Sequence, residues 1–274
     1  MSEHSFVDGQ PGLGVATLDR GLLYGDGLFE TVLFVDGVAP LWSRHCTRLE
    51  ADAARLGICA PPRDQLAATA QRACAGLARA AVRITLTRGV GERGYALPQA
   101  PRSTWIVTAS AAPTLPADWY RRGIPIRCCS LRLAAQPRLA GIKHLNRLEQ
   151  VLARAEWQDP AVAEGLLADA AGNVISATAA NLFIVCNTQL LTPALEECGV
   201  AGVARAEVMA RRDVKIVRLT WNEVMQADEV FLTSSLRGIL PVSRIDAQAF
   251  TPGPVTRALQ DEWRGLGLLE PVHG

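Results

Sequence analysis

Lysine is nearly absent from this chain. Its 274 residues include 28 lysines and arginines together, and only Lys143 and Lys215 are lysine. Arginine stays protonated near neutral pH, whereas a partly buried lysine can lose its proton and act as a nucleophile or Schiff-base amine. The competing reading of Lys143 is an ordinary surface lysine. Charge bias is missing too: 27 acidic residues leave a net charge of +1 and a pI near 7.6. That excludes the basic face needed for nucleic acid. No apolar run approaches the roughly 18 residues of a membrane span, so no membrane partner is expected. The opening "MSEHSFVDGQPGLG" has no basic lead-in and no apolar core, so it is not read as a signal peptide. The seven cysteines are odd in number, contain no C-x-x-C pair and include the adjacent Cys128 and Cys129. This is neither a disulfide framework nor a zinc site, so no metal is expected. They read as small buried residues in a reduced cytoplasm.

What is present alternates between strand and helix. "GVATLDRGLLYGDGLFETVLFVDGVAP" mixes β-branched and aromatic residues with Gly and Asp turns, and "VDG" at 35–37 reads as a hairpin turn between two strands. Leu41, Cys46, Leu49, Ala53 and Leu56 repeat at helical spacing, and Gly57 stops that helix. A second helix, "RDQLAATAQRACAGLARA", precedes the strands "AVRITLTR" and "TWIVTAS". Residues 1–110 therefore read as an α+β domain. A Pro- and Ala-rich linker spans 111–120, and a second domain fills 121–274. That domain opens with the strand "IPIRCCSLRL". A helix just past Lys143 follows, with Leu145, Leu148, Leu152 and Ala155 on one face. "EGLLADAAGNVISATAANLFIVCNTQLLTP" reads as three strands joined by turns at "AAGN" and "CNTQ". Beyond it come a loop into a helix, "GVAGVARAEVMARR", and the strands "VKIVRLT" and "EVFLTSS".

Three motifs carry chemistry. "GVGERG" at 89–94 matches a dinucleotide fingerprint, but Pro98 and Pro101 forbid the helix that must follow. It reads instead as a loop carrying Arg88, Arg93 and Tyr95, groups suited to carboxylates, or as a solvated hairpin tip. "GVAGVARAE" leads into a helix whose first N–H groups, at Val203 and Ala204, suit a phosphate; an ordinary helix entry is the alternative. "TSSLRG" offers the Ser234 and Ser235 hydroxyls, and Arg48 can add charge.

"DRGLLYGDGLFET", "RHCTRL", "RGVGERGY", "GIKHLNRLEQVLAR", "AANLF", "LTPALEECGVAGVAR" and "SSLRGILPV" occur in that order between residues 19 and 242. This series resembles the fold-type-IV pyridoxal-phosphate enzymes, the group of branched-chain and D-amino-acid aminotransferases. "KHLNRLEQVL" beside "RGYA" and "AANLF" favours the lyase branch, which acts on 4-amino-4-deoxychorismate in folate biosynthesis. The resemblance implies a two-domain α+β fold. A smaller N-terminal α/β domain and a larger β-rich C-terminal domain would hold pyridoxal 5'-phosphate between them, in a cytoplasmic homodimer. It implies that Lys143 is the Schiff-base lysine and catalytic residue, and that Arg48, Val203, Ala204 and Ser235 bind the phosphate. Asn146 and Arg147 fall near the cofactor's O3′ side. Tyr24, Phe29, Arg88, Arg93 and Tyr95 fall on the substrate side. At the position that usually carries a glutamate against the pyridine nitrogen, this chain has Ser176. A hydroxyl does little to hold that nitrogen charged, which weakens the electron sink and tells against transamination more than against the lyase reaction. Glu164 and Asp169 are the candidate substitutes. An aminotransferase on the same lysine and a non-catalytic binding module remain the alternatives.

Overall fold

The computed structural model describes residues 4–12 and 14–269, so the first three residues of the opening segment lie outside the described residues. Two compact units emerge. One comprises residues 1–113 with the short run Lys143–Asn146; the other comprises 114–142 and 147–274.

The first unit carries β1 (Ser5–Val7), β2 (Gln10–Pro11), α1 (Arg20–Tyr24), β3 (Gly27–Val35), α2 (Trp42–Leu56), α3 (Arg63–Ala73), β4 (Arg79–Thr87) and β5 (Thr104–Ala111). Its antiparallel sheet runs β2-β1-β5-β4-β3, leaving β3 at an edge. Side chains alternate across a strand. Leu28, Glu30, Val32 and Phe34 are accordingly buried on the face that meets α2, while Phe29 and Thr31 share the other face with Arg83 and Thr85. The "VDG" turn forms, with Asp36 and Gly37 both at positive φ, but only Val38 pairs back onto Val35 before the chain enters α2. The expected second strand is thus one residue long. Helix α2 ends where the pattern placed its end, on Gly57 at φ +64.

The second unit holds α4 (Ala117–Arg122), β6 (Ile124–Leu133), α5 (Leu148–Arg154), β7 (Glu164–Asp169), β8 (Val174–Ala177), β9 (Asn181–Cys186), β10 (Gln189–Pro193) and α6 (Val203–Arg211). It continues with β11 (Val214–Val217), α7 (Trp221–Met225), β12 (Glu229–Ser234), β13 (Gly238–Ile245), β14 (Gln248–Ala249) and α8 (Pro254–Gly265). Its nine-stranded sheet runs β11-β10-β9-β12-β13-β6-β7-β8, with β14 pairing β13 off this path, and a β8–β9 pairing closes six of the strands into a ring. Ile126, Leu166, Leu182, Ile184, Leu232 and Val242 pack in the main core cluster. The 164–193 segment forms four strands where three were expected. The extra break at Thr178–Ala180 carries no Gly, Pro or Asn signal, and the Ala177 N–H closes it by donating to Ala180 C=O.

Candidate active site

Lys143 sits in a segment that is neither helix nor loose loop. The expected helix begins only at Leu148, because residues 143–146 add to the free edge of β3. The Phe29 N–H donates to Lys143 C=O at 3.0 Å, and the Leu145 N–H donates to Gly27 C=O at 2.9 Å. Helix α2 completes the mount, where the Asp52 carboxylate accepts the Lys143 N–H at 3.0 Å. The lysine thus groups with the first unit, not with the C-terminal domain in which the sequence reading placed it. Its Nζ stands 4.1 Å from the centre of the Phe29 ring. The exposed Arg83 guanidinium lies 4.2 Å from the same ring. Two cations thus flank one ring from the two sides of β3, and Arg83 makes no ion pair among the described residues. Sequence reasoning missed Arg83, although its phase with Phe29 across β3 and β4 was the available signal.

Arg48 projects from α2 onto Glu30, giving Nε to Oε1 at 2.7 Å and Nη2 to Oε2. His45 Nδ1 meets the same carboxylate at 2.6 Å. Burial alone would raise the Glu30 pKa, but the Arg48 charge and the bonds from His45 and Arg48 outweigh it and bring it down to about 2. Burial holds the His45 pKa below its ordinary value despite Glu30. His45, Arg48 and Asp52 are spaced as one stripe of α2, facing Glu30 and the lysine segment.

Arg88 requires a correction. Its Nε and Nη2 clasp the Asp26 carboxylate, at 2.8 and 3.0 Å, while Nη1 and Nη2 also donate to Gly57 C=O and Leu56 C=O. Buried, with four of its five N–H donors engaged, it ties the end of β4 to the end of α2 and is not presented to a substrate. Tyr24 accepts the Gly94 N–H at its hydroxyl, and its ring lies 5.4 Å from that of Tyr95. Arg20 holds the same loop through the carbonyls of Gly94 and Ala96. Tyr95 and Arg93 are exposed on that loop. Asn146 gives its amide to Gly25 C=O at 3.1 Å, so it braces the turn after α1. Arg147 begins α5 in the second unit, where burial lowers its pKa to about 10.

In the second unit, a side-chain clamp shapes the start of α6. Asn181 is the hub: its Nδ2 donates to Val200 C=O at 2.8 Å and its Oδ1 accepts the Gly202 N–H at 3.1 Å. A Cβ on residue 202 would fall 2.0 Å from Asn181 Oδ1, so only glycine admits this clamp. Clamped in this way, the loop feeds α6. The Val203 and Ala204 N–H groups precede the first intrahelical bond of α6, from Ala206 N–H to Gly202 C=O. Thr233 pairs with Asn181 across β12 and β9, and its buried Oγ1 has no hydrogen-bond partner among the described residues. Ser235 follows, half-buried, in the turn after β12. Helix-start amides with an orphan hydroxyl nearby are the donor set a phosphate requires. Asn181 and Thr233 were missed, the first because "AANLF" was read only as a marker.

Ser176 is buried on β8 and pairs with both Leu167 and Asn181. Neither candidate substitute reaches it. Glu164 is in phase with Leu166, on the opposite face of the ladder from Ser176. Its oxygens are taken by the Gly165 N–H, the Thr178 hydroxyl and Arg237 Nη1. Asp169 is spent on Asn173 N–H and Nδ2 in its own turn. Burial pushes the Cys128 and Cys129 thiols up to about 12, so both stay protonated at neutral pH, whereas Cys59 is exposed, against expectation.

Comparison with known proteins matches this geometry to a family. The model of the family described as amino-transferase class IV matches residues 27–245, and the chain belongs to that family. It is 35% identical over 264 residues to an aminodeoxychorismate lyase of Vibrio harveyi, covering 93% of this chain and 97% of that one. It is 30% identical over 272 residues to a putative branched-chain-amino-acid aminotransferase of Methanocaldococcus jannaschii, covering 95% and 93%. Among solved structures, the 4-amino-4-deoxychorismate lyase from Pseudomonas aeruginosa superposes with a TM-score of 0.91 at 42% identity, covering 95% of this chain and 98% of that one. The fold is the expected fold type IV.

Proposed function

We propose that this chain is a pyridoxal-phosphate-dependent lyase that converts 4-amino-4-deoxychorismate to 4-aminobenzoate and pyruvate. The observation that carries the reading is the near-full-length likeness to two lyases of that name. The mount of Lys143 supplies the chemistry. Each unit offers residues that fit a part of the cofactor: in the first, Lys143 Nζ would hold it and Arg48 would add positive charge; in the second, the Val203 and Ala204 amides with the Thr233 and Ser235 hydroxyls would suit a phosphate. When bound, the cofactor supplies an electron sink for the carbon that bears the substrate amine. Lys143 Nζ then takes the proton from that carbon. The enolpyruvate leaves as its carbon–oxygen bond breaks, and the same ammonium protonates its methylene carbon to give pyruvate. No oxidant or reductant enters, because the ring becomes aromatic by losing that proton and the enolpyruvate.

Arg83 and the loop residues Arg93 and Tyr95 hold the two substrate carboxylates. Arg83 takes the role the sequence reading gave to Arg88. Ser176 would offer the pyridine nitrogen only a neutral hydroxyl, which would favour elimination over transamination. The aminotransferase reading rests on the 30%-identical archaeal relative. We place the enzyme in the cytoplasm, where its free thiols stay reduced; among the described residues, no helix is long and apolar enough to cross a membrane. A second copy covers the apolar outer face of α5, where Leu148, Val151 and Leu152 are exposed at 75%, 60% and 59%.

The deciding assay supplies aminodeoxychorismate to the loaded protein and follows 4-aminobenzoate fluorescence, with Lys143→Ala as the inactive control. Turnover of amino acids with 2-oxo acids, without aminobenzoate, assigns the chain to the aminotransferases instead.

A further inference from the structure

We propose that Asp52 is a positioning residue for Lys143, acting through the hydrogen bond its carboxylate accepts from the lysine's own main-chain N–H. This role rests on the reading of Lys143 as the cofactor-bearing lysine and deepens it. The geometry is specific. Residues 143–146 add to β3 by a short ladder in which Phe29 satisfies Lys143 C=O and Gly27 satisfies the Leu145 N–H. That ladder leaves the Lys143 N–H directed away from β3, with no strand beyond it among the described residues. Asp52 Oδ2 takes it at 3.0 Å from the middle of α2, itself only 6% exposed.

Lys143 is thereby held from both sides at its Cα. The residues flanking the 143–146 run, Ile142 and Arg147, belong to the other unit, and these bonds, with that of the Asn146 amide to Gly25 C=O, tie the run to the first unit. The side chain that follows has four rotatable bonds, and a displaced Cα displaces Nζ from its place over Phe29. Asp52 also lies on the stripe of α2 that bears Arg48, so one rigid helix sets both the lysine and the cation assigned to the phosphate.

The test uses the full chain loaded with pyridoxal phosphate and compares the Asp52→Ala, Asp52→Asn and Asp52→Glu variants. Borohydride reduction followed by peptide mass spectrometry reads attachment at Lys143. The pH midpoint of the bound cofactor's absorption band, together with separate kcat and KM values, reads the placement of Nζ. Asp52→Ala is expected to lower kcat about ten-fold with KM unchanged within about twofold, and to move the pH midpoint. Asp52→Asn keeps an acceptor at the same reach and is expected to restore both. Asp52→Glu keeps the charge but lengthens the arm, and is expected to behave like the alanine variant. It carries the test if Asp52→Ala does not fold. An alanine variant with wild-type kcat and pH midpoint overturns the proposal, as does an asparagine variant no better than alanine. If the wild-type protein itself takes no label at Lys143, the cofactor reading falls and the positioning role with it. A labelled wild type with unaffected variants removes the positioning role alone.

Discussion

Two arginines five positions apart have opposite fates, and no pattern in the sequence separates them. Arg88 stands on a glycine-hinged loop with a tyrosine nearby, which reads as a carboxylate site. Only the folded chain reveals that Asp26 and the carbonyls of Leu56 and Gly57 take four of its five N–H donors and bury it. Arg83, inside a strand, looks structural in sequence and turns out to share a ring with Lys143. Kinetics separate the two. Arg83→Ala is expected to raise KM about 10- to 100-fold with little loss of stability, the worth of a charge-assisted hydrogen bond. Arg88→Ala breaks a buried ion pair and is expected to cost on the order of 3 kcal/mol in urea unfolding. Titration gives a third expectation. Glu30 has a depressed pKa in the folded chain, so it contributes stability that is complete above about 4.5 and is lost as pH falls toward about 2. The depressed His45 adds to this: it too contributes above its ordinary 6.5 and less as acid charges it. A shift of that size for Glu30 corresponds to on the order of 3 kcal/mol. Urea midpoints measured downward from pH 6.5 should therefore fall steeply in the wild type and less so in Glu30→Gln. Lys143 was the easiest residue to find, because rarity marked it. Asp52 was invisible, since its partner is a main-chain N–H 91 positions away.

At the level of elements, periodicity located α2, β4, β5 and β6 well, because each buries a regular face against neighbours of its own unit, while the second helix, read to residue 80, stops at Ala73 and gives its last residues to the turn and to β4. It failed at α5. A run with Leu145, Leu148 and Leu152 in helical phase reads as an inward stripe. Yet Leu145 is held in the β3 ladder, and Leu148 and Leu152 face outward. Local phase cannot announce that a sheet edge will capture the first residues of the run. The start of α6 was legible as an anion site from its glycines, but the device that shapes it, Asn181, is distant in sequence. Gly202→Ala tests the device directly. Its new methyl would fall 2.0 Å from Asn181 Oδ1, so either the loop shifts or the Asn181 clamp breaks. Affinity for pyridoxal phosphate, read by fluorescence titration with inorganic phosphate as competitor, is expected to drop at least about ten-fold. Far-UV circular dichroism should stay unchanged. Equal affinity in the variant removes the clamp from the phosphate site.

On the scale of the whole molecule, the outward face of α5 becomes an argument about assembly. Three aliphatic side chains at positions i, i+3 and i+4 of one short helix form a stripe of the kind that drives helix packing. Exposing it costs free energy in proportion to its apolar area, roughly 25 cal/mol per Å². A cofactor held near the lysine does not relieve that cost, since the stripe lies on the helix surface and not at residues 143–146. A two-fold partner relieves it with its own identical stripe, because an isologous contact needs only one self-complementary patch. The protein is therefore expected to elute at twice the chain's 29.4 kDa in light-scattering chromatography. Leu148→Ser with Leu152→Ser should return it to the single-chain mass without loss of near-UV circular dichroism, since neither side chain is part of the core. If activity then falls while the monomer stays folded and retains cofactor at Lys143, the second copy lends residues to the substrate side. The exposed Tyr95 and Arg93 of the loop that Arg20 holds in place are the candidates. A wild-type chain that elutes at the single-chain mass leaves the stripe without a role in pairing and confines the whole substrate site to one copy.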